Sequence, residues 1–234
     1  MENQSDTPYF LSRAAHLCVL NDRVVLLNVV SGKYFSLDSA AAASLNGRVC
    51  GWPQLEGPGN GSDALASLMR QGLVTSDARQ GKPAVPVQIR LPTGWLCESV
   101  PRGCPDIDAL HILRFIKAAT WAMASLRFLK LQSIMRRISS RKAAQPRLVA
   151  DPAVIVELIR VFDWLRPLAF EKKNGCFVYC LAILEFLACY GVFPDWVFAV
   201  KDRPFRAHCW LQQGELLFTD IPFEVRQLTP IMVA

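Results

Sequence analysis

Three residues in the last third of the chain have side chains that could together carry out acyl chemistry. Cys176 begins an apolar run, His208 lies inside a strand-like segment, and Asp220 follows the next such segment. A thiol nucleophile needs a base to take its proton, and the base needs a partner that fixes its orientation. The order cysteine, histidine, aspartate therefore suggests a cysteine-dependent acyl-transfer or hydrolytic site.

The run after Cys176 predicts a helix that ends near Cys189. A cysteine in the first turn of a helix lies beside unpaired backbone amides and partial positive charge, which lower the pKa of a thiol and can hold an oxyanion. The backbone amide of Cys176 is the predicted oxyanion donor, with Asn174 as a weaker candidate. We predict that Cys180 and Cys189 are small buried apolar residues.

His208 and Asp220 belong to a predicted β-hairpin made of Ala207–Gln212 and Glu215–Phe218. Side chains alternate along a strand, so His208 and Cys209 are expected on opposite faces. This parity would keep Cys209 away from the group that His208 contacts. Asp220, after the second strand, is expected to reach the imidazole nitrogen that does not face the thiol.

The first 80 residues predict three short strands followed by three helices, an order typical of a winged-helix-like module. Its basic and acidic side chains balance and no helix has a basic face, which argues against a nucleic-acid partner. The strands are His16–Leu20, Arg23–Val30 and Lys33–Leu37, and the helices are Ala40–Leu45, Trp52–Leu55 and Asp63–Gln71.

Proline and glycine residues that interrupt the predicted helices and strands indicate the domain boundaries. Proline and glycine recur between residues 77 and 105, with one short strand at Val87–Leu91, so this segment is a connector. We predict an α+β protein in which residues 1–82 form a recognition domain and 83–105 a linker. Residues 106–234 form the second domain, in which Cys176, His208 and Asp220 come in the order found in papain-like and transglutaminase-like enzymes; this resemblance implies a cysteine peptidase domain.

Positive charge is concentrated in the middle of the chain. Of the net charge of +6, the excess comes from residues 86–170, which hold thirteen basic and six acidic side chains. Ile107–Ser140 predicts one or two amphipathic helices, too often interrupted by charge to span a membrane. We expect the apolar stripe to pack on the domain core or on a partner; weak contact of 107–140 with a membrane surface stays the alternative. That stripe comprises Leu110, Leu113, Ile116, Trp121, Leu126, Leu129 and Ile134.

Composition indicates the compartment and the absence of cofactors. The N-terminus lacks a basic region followed by an apolar one, and the eight cysteines show no repeated spacing. We therefore predict a cytoplasmic protein with no disulfide framework. Cys97 and Cys104 have no further ligands to complete a zinc site, and no phosphate-binding glycine loop is present, so we predict no metal and no cofactor.

Two sets of local strings resemble known families. C-F-V-Y-C-L-A-I-L, P-F-R-A-H-C-W-L and the Asp after G-E-L-L-F-T closely resemble the leader peptidases of lasso-peptide biosynthesis, over about Ala153 to Asp220. Those enzymes prefer serine at the position of Cys180, alanine at that of Cys209 and valine-glutamate at that of Leu211-Gln212. Y-F-S-L-D and L-M-R-Q-G-L-V, between Tyr9 and Ser76, resemble the PqqD-like recognition element of ribosomal-peptide pathways.

The resemblance implies a reaction and assigns roles. Cys176 would be the nucleophile, His208 the base and Asp220 its orienter, in ATP-independent hydrolysis of the bond between leader and core of a lasso-peptide precursor. An asparagine-synthetase-like lasso cyclase would then use the freed α-amine to form a macrolactam. A transglutaminase-like acyltransferase and a non-catalytic peptide-binding scaffold remain alternatives. The leader would add as a strand beside a site made of Lys33, Tyr34, Phe35, Ser36, Leu37, Asp63, Leu65 and Met69.

Overall fold

The computed structural model describes residues 8–57, 62–96, 103–144, 151–170 and 175–234. The chain divides into two compact units. The first comprises Met1–Ile89 with Val200–Phe205 and Thr229–Met232, and the second comprises Arg90–Ala199, Arg206–Leu228 and Val233–Ala234. The predicted limits of the recognition domain, linker and peptidase domain stay predictions.

An antiparallel sheet of three strands dominates the first unit. It confirms the three strands that the sequence predicted. The strands are β2 (Ala15–Leu20), β3 (Arg23–Asn28) and β4 (Lys33–Leu37), in that order across the sheet. Asn28 pairs with Lys33, and Leu27 with Tyr34, so the turn between β3 and β4 is tight. A smaller sheet places β1 (Phe10–Ser12) between β5 (Val74–Thr75) and β6 (Gly81–Lys82).

Two helices complete the described part of this unit, where the sequence predicted three. The helix α1 (Ser39–Ala43) begins where the Asp38 carboxylate accepts a hydrogen bond from the Ala41 amide, and α2 is Ser62–Arg70. The predicted helix at Trp52–Leu55 is wrong. Trp52 is buried and its indole N–H donates to the Ala42 carbonyl, so this contact, rather than a helical turn, fixes the segment.

The connector holds less regular structure than expected. The predicted strand at Val87–Leu91 is wrong, since these residues form neither helix nor strand. The strand β7 (Gly94–Trp95) follows instead and pairs in parallel with β10 (Leu216–Leu217). Pro86 and Pro92 flank the predicted strand, and proline cannot donate to a sheet ladder.

Helices α3 to α6 build the first half of the second unit. They are α3 (Ala109–Phe128), α4 (Leu131–Ala144), α5 (Pro152–Leu165) and α6 (Gly175–Ala188). Helix α5 is capped by Asp151, whose carboxylate accepts a hydrogen bond from the Ala153 amide. Helix α6 is buried from Cys180 to Leu187 and packs on α3, α5 and the strand β9.

A five-stranded sheet contains the strands of the C-terminal part of the chain together with β7. Its order is β11 (Thr229–Val233), β8 (Asp195–Lys201), β9 (Arg206–Gln213), β10 and β7. A short helix, α7 (Pro222–Val225), precedes β11. The hairpin of β9 and β10 was predicted from sequence and is confirmed, although β10 is only two residues long. It carries His208, and Asp220 follows β10.

The apolar stripe predicted for Ile107–Ser140 does not pack as expected. The side of α3 that is buried holds mostly small residues, so the helix can approach α6 closely. The larger aliphatic side chains of α3 face outward, so their expected packing on the domain core is wrong, while packing on a partner stays a prediction; in α4, Ile134 is buried. The buried residues of α3 are Phe115, Ala118, Ala119, Ala122 and Ser125. Within the described residues, no helix is both long and apolar enough to cross a membrane.

Candidate active site

His208 and Asp220 form a partly buried hydrogen-bonded pair at one end of the hairpin. The His208 Nε2 atom lies 2.9 Å from Asp220 Oδ1, and both side chains are largely shielded from solvent. A carboxylate at this distance fixes the rotation of the imidazole and its tautomer. Because Nε2 is engaged, Nδ1 is the nitrogen left for a thiol.

A second contact holds the carboxylate in place, and the sequence reading did not identify it. The Thr219 hydroxyl donates to Asp220 Oδ2 at 3.0 Å, while its oxygen accepts a hydrogen bond from the Leu211 amide at 3.1 Å. Thr219 therefore ties Asp220 to the strand that carries His208. Its position directly before Asp220 was the available signal, but only the pairing of β9 with β10 shows where its hydroxyl points.

Cys176 is the second residue of α6, as predicted. Gly175 precedes it with φ of +66°, in the left-handed region that glycine adopts without steric cost, and starts the helix there. The amide of Cys176 lies in the first turn, where backbone N–H groups have no partner inside the helix. The other oxyanion candidate, Asn174, lies outside the described residues.

The Cys176 thiol contacts both His208 and Cys209, and these contacts set its acidity. The hydrogen bond with the Cys209 thiol contributes most, burial adds to it, and the pKa of the Cys176 thiol is raised to about 12 although the contact with His208 lowers it. The start of a helix was expected to lower this pKa. The neighbouring thiol and partial burial outweigh the helix, because both keep the proton on sulfur.

The contact between Cys176 and Cys209 shows that the prediction from strand alternation was wrong for Cys209. Cys209 was expected to lie away from the group that His208 contacts, yet Cys176 is hydrogen-bonded to both. Strand alternation fixes the direction in which each side chain leaves the strand, but not whether a third group can reach two neighbours. Helix α6 packs directly on β9, so its first turn reaches both. Cys180, buried as predicted, donates its thiol to the Cys209 carbonyl at 3.4 Å.

The groups that contact His208 raise the pKa of its imidazole. Burial disfavours its charged form, but the hydrogen bonds to Asp220 and Cys176 outweigh burial and raise the pKa of the imidazole to about 9. The imidazolium is therefore stable beside Asp220. A base that has taken a proton from a thiol is held in this charged form until it passes the proton on.

We expect Cys209→Ala to make Cys176 more reactive. Removing the thiol that keeps the proton on Cys176 lowers the Cys176 pKa, and each unit of decrease raises the thiolate fraction at fixed pH about tenfold. The measurement is the rate of iodoacetamide labelling of the Cys176 peptide at pH 8, followed by mass spectrometry. Cys18→Ala, which removes a buried thiol of the first unit, should leave this rate unchanged. An unchanged or slower rate in Cys209→Ala would contradict the assignment.

The predicted leader-binding residues fall into three groups. Phe35 and Leu37 pack against the core of the first unit, so a ligand there would meet their backbone. Leu65 is 4% exposed and belongs to the core itself, so its side chain is not available at the surface. The remaining members, Lys33, Tyr34, Ser36, Asp63 and Met69, are exposed or half-buried, and Tyr34 meets the Phe205 ring edge-on at 5.6 Å.

The strand β4 has the position that strand addition requires. It is the last strand of its sheet and is paired on one side, by β3, among the strands that the structure describes. An edge strand presents backbone donors and acceptors to a further strand. Whether a peptide binds there stays a prediction.

The described part of the chain holds no group of three or more His, Cys, Asp or Glu that could bind a metal ion. The arrangement at Cys176 is one in which a thiol, an imidazole and a carboxylate are held in sequence by hydrogen bonds. Such a series can transfer an acyl group through a thioester, to water or to an amine.

Comparison with known proteins identifies the superfamily. The family model described as the transglutaminase-like superfamily matches residues 116–233, which is half of the chain. No curated protein and no solved structure gives a match. The matched region contains α6, the β9–β10 hairpin and all three residues of the hydrogen-bonded series. The superfamily includes both cysteine peptidases and acyltransferases, and this chain belongs to the transglutaminase-like superfamily.

Proposed function

We propose that the protein is a cysteine peptidase that removes the leader from a lasso-peptide precursor. The observation that supports it most is the hydrogen-bonded series Cys176, His208 and Asp220 at the junction of α6 and the β9–β10 hairpin. The local strings around these residues resemble those of lasso leader peptidases, which points to this substrate within the wider superfamily.

In the proposed reaction, the Cys176 sulfur attacks the carbonyl carbon of the last leader residue while His208, in its neutral form, takes the thiol proton. The scissile C–N bond then breaks, His208 gives its proton to the leaving amine, and the core departs with a free α-amine. The leader remains as a thioester on Cys176. A water molecule, deprotonated by His208, cleaves the thioester and regenerates the thiol.

Two parts of the site would lower the barriers. The Cys176 amide, in the first turn of α6, would donate to the oxygen that becomes negative in each tetrahedral intermediate, and one such donor is worth about 10²–10³-fold in rate. Asp220, held by Thr219, would keep His208 oriented and stabilise its charged form. Within each half-reaction, the proton is therefore held next to a fixed carboxylate from the attack until the leaving group departs.

Specificity would come from the first unit. A leader that adds as a strand to β4 would gain main-chain hydrogen bonds, while the exposed side chains Asp63 and Met69 of α2 would select its sequence. A leader held in this way raises the effective concentration of the scissile bond near Cys176. The product amine would pass to an asparagine-synthetase-like lasso cyclase, which is the partner that this proposal requires.

We expect backbone N-methylation of the leader to weaken binding at alternate positions only. Along one edge of a strand every second amide points to the neighbouring strand, so every second N-methyl group removes a hydrogen bond worth about 0.5–1.5 kcal/mol, or about 2- to 10-fold in affinity. Calorimetry with the full chain and a series of singly methylated leaders measures this. A pattern without period two would contradict strand addition.

Mass spectrometry of a precursor incubated with the protein tests the proposed function. The substrate to use is a lasso-peptide precursor with its leader attached. Hydrolysis gives two products whose masses sum to that of the precursor plus one water. In the presence of an added primary amine, an acyltransferase would instead give a leader–amine adduct, and a binding scaffold would give an unchanged precursor; either result would overturn the proposal.

A further inference from the structure

The outer side of α3 has a composition unlike the rest of the described surface. Of the nineteen large apolar side chains that are exposed in the described residues, eight lie between Leu110 and Leu129. Four of them, Ile112, Leu113, Ile116 and Met123, share one side of the helix, called here the outer stripe. Because the opposite side packs its small residues on α6, the stripe is not needed to hold the helix in place.

The turn that ends α3 extends the stripe. Phe128 is 79% exposed and Leu129 is 40% exposed, between the basic side chains of Arg127 and Lys130. From Ile112 to Phe128 the helix rises about 24 Å, at about 1.5 Å per residue. The apolar surface is therefore long, lies along a single helix and ends in a projecting aromatic ring.

The charge of this region is of one sign. Residues 109–144 contain eight Lys or Arg and no Asp or Glu. Four of the eight are engaged in the second unit: Arg137 and Arg141 with Glu185, Lys142 with Asp195, and Arg114 over the Tyr190 ring. The other four have no carboxylate within 4.0 Å among the described residues, and they are Lys117, Arg127, Lys130 and Arg136.

We infer that α3 and its following turn dock on the surface of an anionic lipid membrane. A helix that lies in a membrane interface needs exposed aliphatic and aromatic side chains to enter the acyl region, with Lys or Arg beside them to meet lipid phosphates. The outer stripe and Phe128, with Lys117, Arg127 and Lys130, supply both on α3 and its following turn. This inference does not depend on the peptidase activity proposed above.

The same observations favour a lipid surface over an acidic protein. The centre of a protein interface is depleted of charge and enriched in Tyr and Trp, whereas here Lys117 and Arg127 lie among aliphatic residues on the same side of α3. A single helix of 20 residues with a projecting Phe suits a planar, deformable partner. Each Lys or Arg near an anionic surface contributes about fivefold to binding, so the three on α3 and its following turn give useful affinity without a transmembrane segment.

Sedimentation of the full-length protein with lipid vesicles tests the inference. We expect binding to vesicles of phosphatidylcholine with phosphatidylserine, little binding to phosphatidylcholine alone, and loss of binding at high salt, because exposed charges are then screened. Equal binding to both vesicle types, or to neither, would overturn it.

Matched variants locate the contact. Leu113→Asp and Phe128→Asp change side chains that are 64% and 79% exposed, so folding should be retained, and each should weaken binding to anionic vesicles about tenfold or more. Leu168→Asp, at an equally exposed apolar residue of the same unit, should have no effect.

The double variant Arg127→Glu with Lys130→Glu tests the attraction between the basic side chains and anionic lipid. It should reduce binding to anionic vesicles at least about tenfold. The control is Arg79→Glu, at an exposed residue of the first unit. Unchanged binding in the stripe variants would overturn the inference. So would analytical ultracentrifugation that shows wild-type self-association abolished by Leu113→Asp, since the occupant of the stripe would then be a second copy of this chain.

Discussion

Replacing Cys176 with alanine should abolish leader release while leaving leader binding intact. Without the sulfur no thioester can form, and loss of a catalytic nucleophile typically costs about 10⁴-fold or more in kcat. The leader should still bind with unchanged affinity, because the strand β4 belongs to the first unit and Cys176 to the second. Cleavage is measured by mass spectrometry of a precursor, and affinity by calorimetry with the leader.

The control for this substitution is Cys50→Ala, which removes an exposed thiol of the first unit and should not change the rate. If Cys176→Ala still cleaved at the wild-type rate, Cys176 would not be the nucleophile. If cleavage and leader affinity were lost together with the thermal unfolding transition, the variant would have lost its fold. Cys176→Ser, which keeps the volume of the side chain, then provides the test.

His208→Ala should reduce kcat/KM by about 10²–10⁴-fold, the range that general acid–base catalysis contributes. Asp220→Asn should cause a loss in the same range without removing the base, because the amide nitrogen would donate to Nε2 where the carboxylate now accepts from it, and the imidazole would adopt the wrong tautomer. Steady-state kinetics on a precursor with both variants measures this. Activity of His208→Ala within a few fold of wild type would contradict the role of a base.

A titration separates the orienting role of Asp220 from a merely structural one. Asp220 raises the pKa of His208, so Asp220→Asn should lower that pKa from about 9 toward the ordinary 6.5, as followed by NMR of the imidazole. The raised pKa of His208 also makes the stability of the folded state depend on pH. The interactions of the charged imidazole stabilise the folded state fully below about pH 6.5, and this contribution is lost as the pH rises through about 9. The variant His208→Ala lacks the imidazole, so its free energy of unfolding should not show this loss between about pH 6.5 and 9.

Local patterns were sufficient for the elements that carry the site. Helix α6 begins at the glycine that precedes Cys176, and the β9–β10 hairpin lies where alternating apolar residues flank Gln213-Gly214. These are local signals: a glycine that adopts a positive φ and a two-residue turn. The three strands β2, β3 and β4 were found for the same reason.

Where prediction failed, a contact between distant segments decided the outcome. The segment after Trp52 is held by its indole bond to Ala42 and not by its own helical pattern. The contact between Cys176 and Cys209 depends on how closely α6 packs on β9, which strand parity does not describe. Thr219 was overlooked because its role follows from its bond to Leu211 across the hairpin.

In α3, the buried side of the helix is not the side with the largest apolar side chains. Its larger aliphatic residues suggested the buried side, but the alanines Ala118, Ala119 and Ala122 face α6. Small side chains let two helices approach more closely, so the backbones themselves make much of the contact. Hydrophobicity alone ranks Leu and Ile above Ala and therefore predicts the wrong side.

The most direct test of the central claim is to label the nucleophile with a substrate-like reagent. A synthetic leader that ends in a chloromethyl ketone alkylates the sulfur that attacks its terminal carbonyl and leaves a stable thioether. Tandem mass spectrometry of the digested protein then locates it. We predict one equivalent of label, on Cys176, and none in Cys176→Ala or in a competition with unmodified leader. Label on Cys180 or Cys209, or continued precursor cleavage by fully labelled protein, would contradict the assignment.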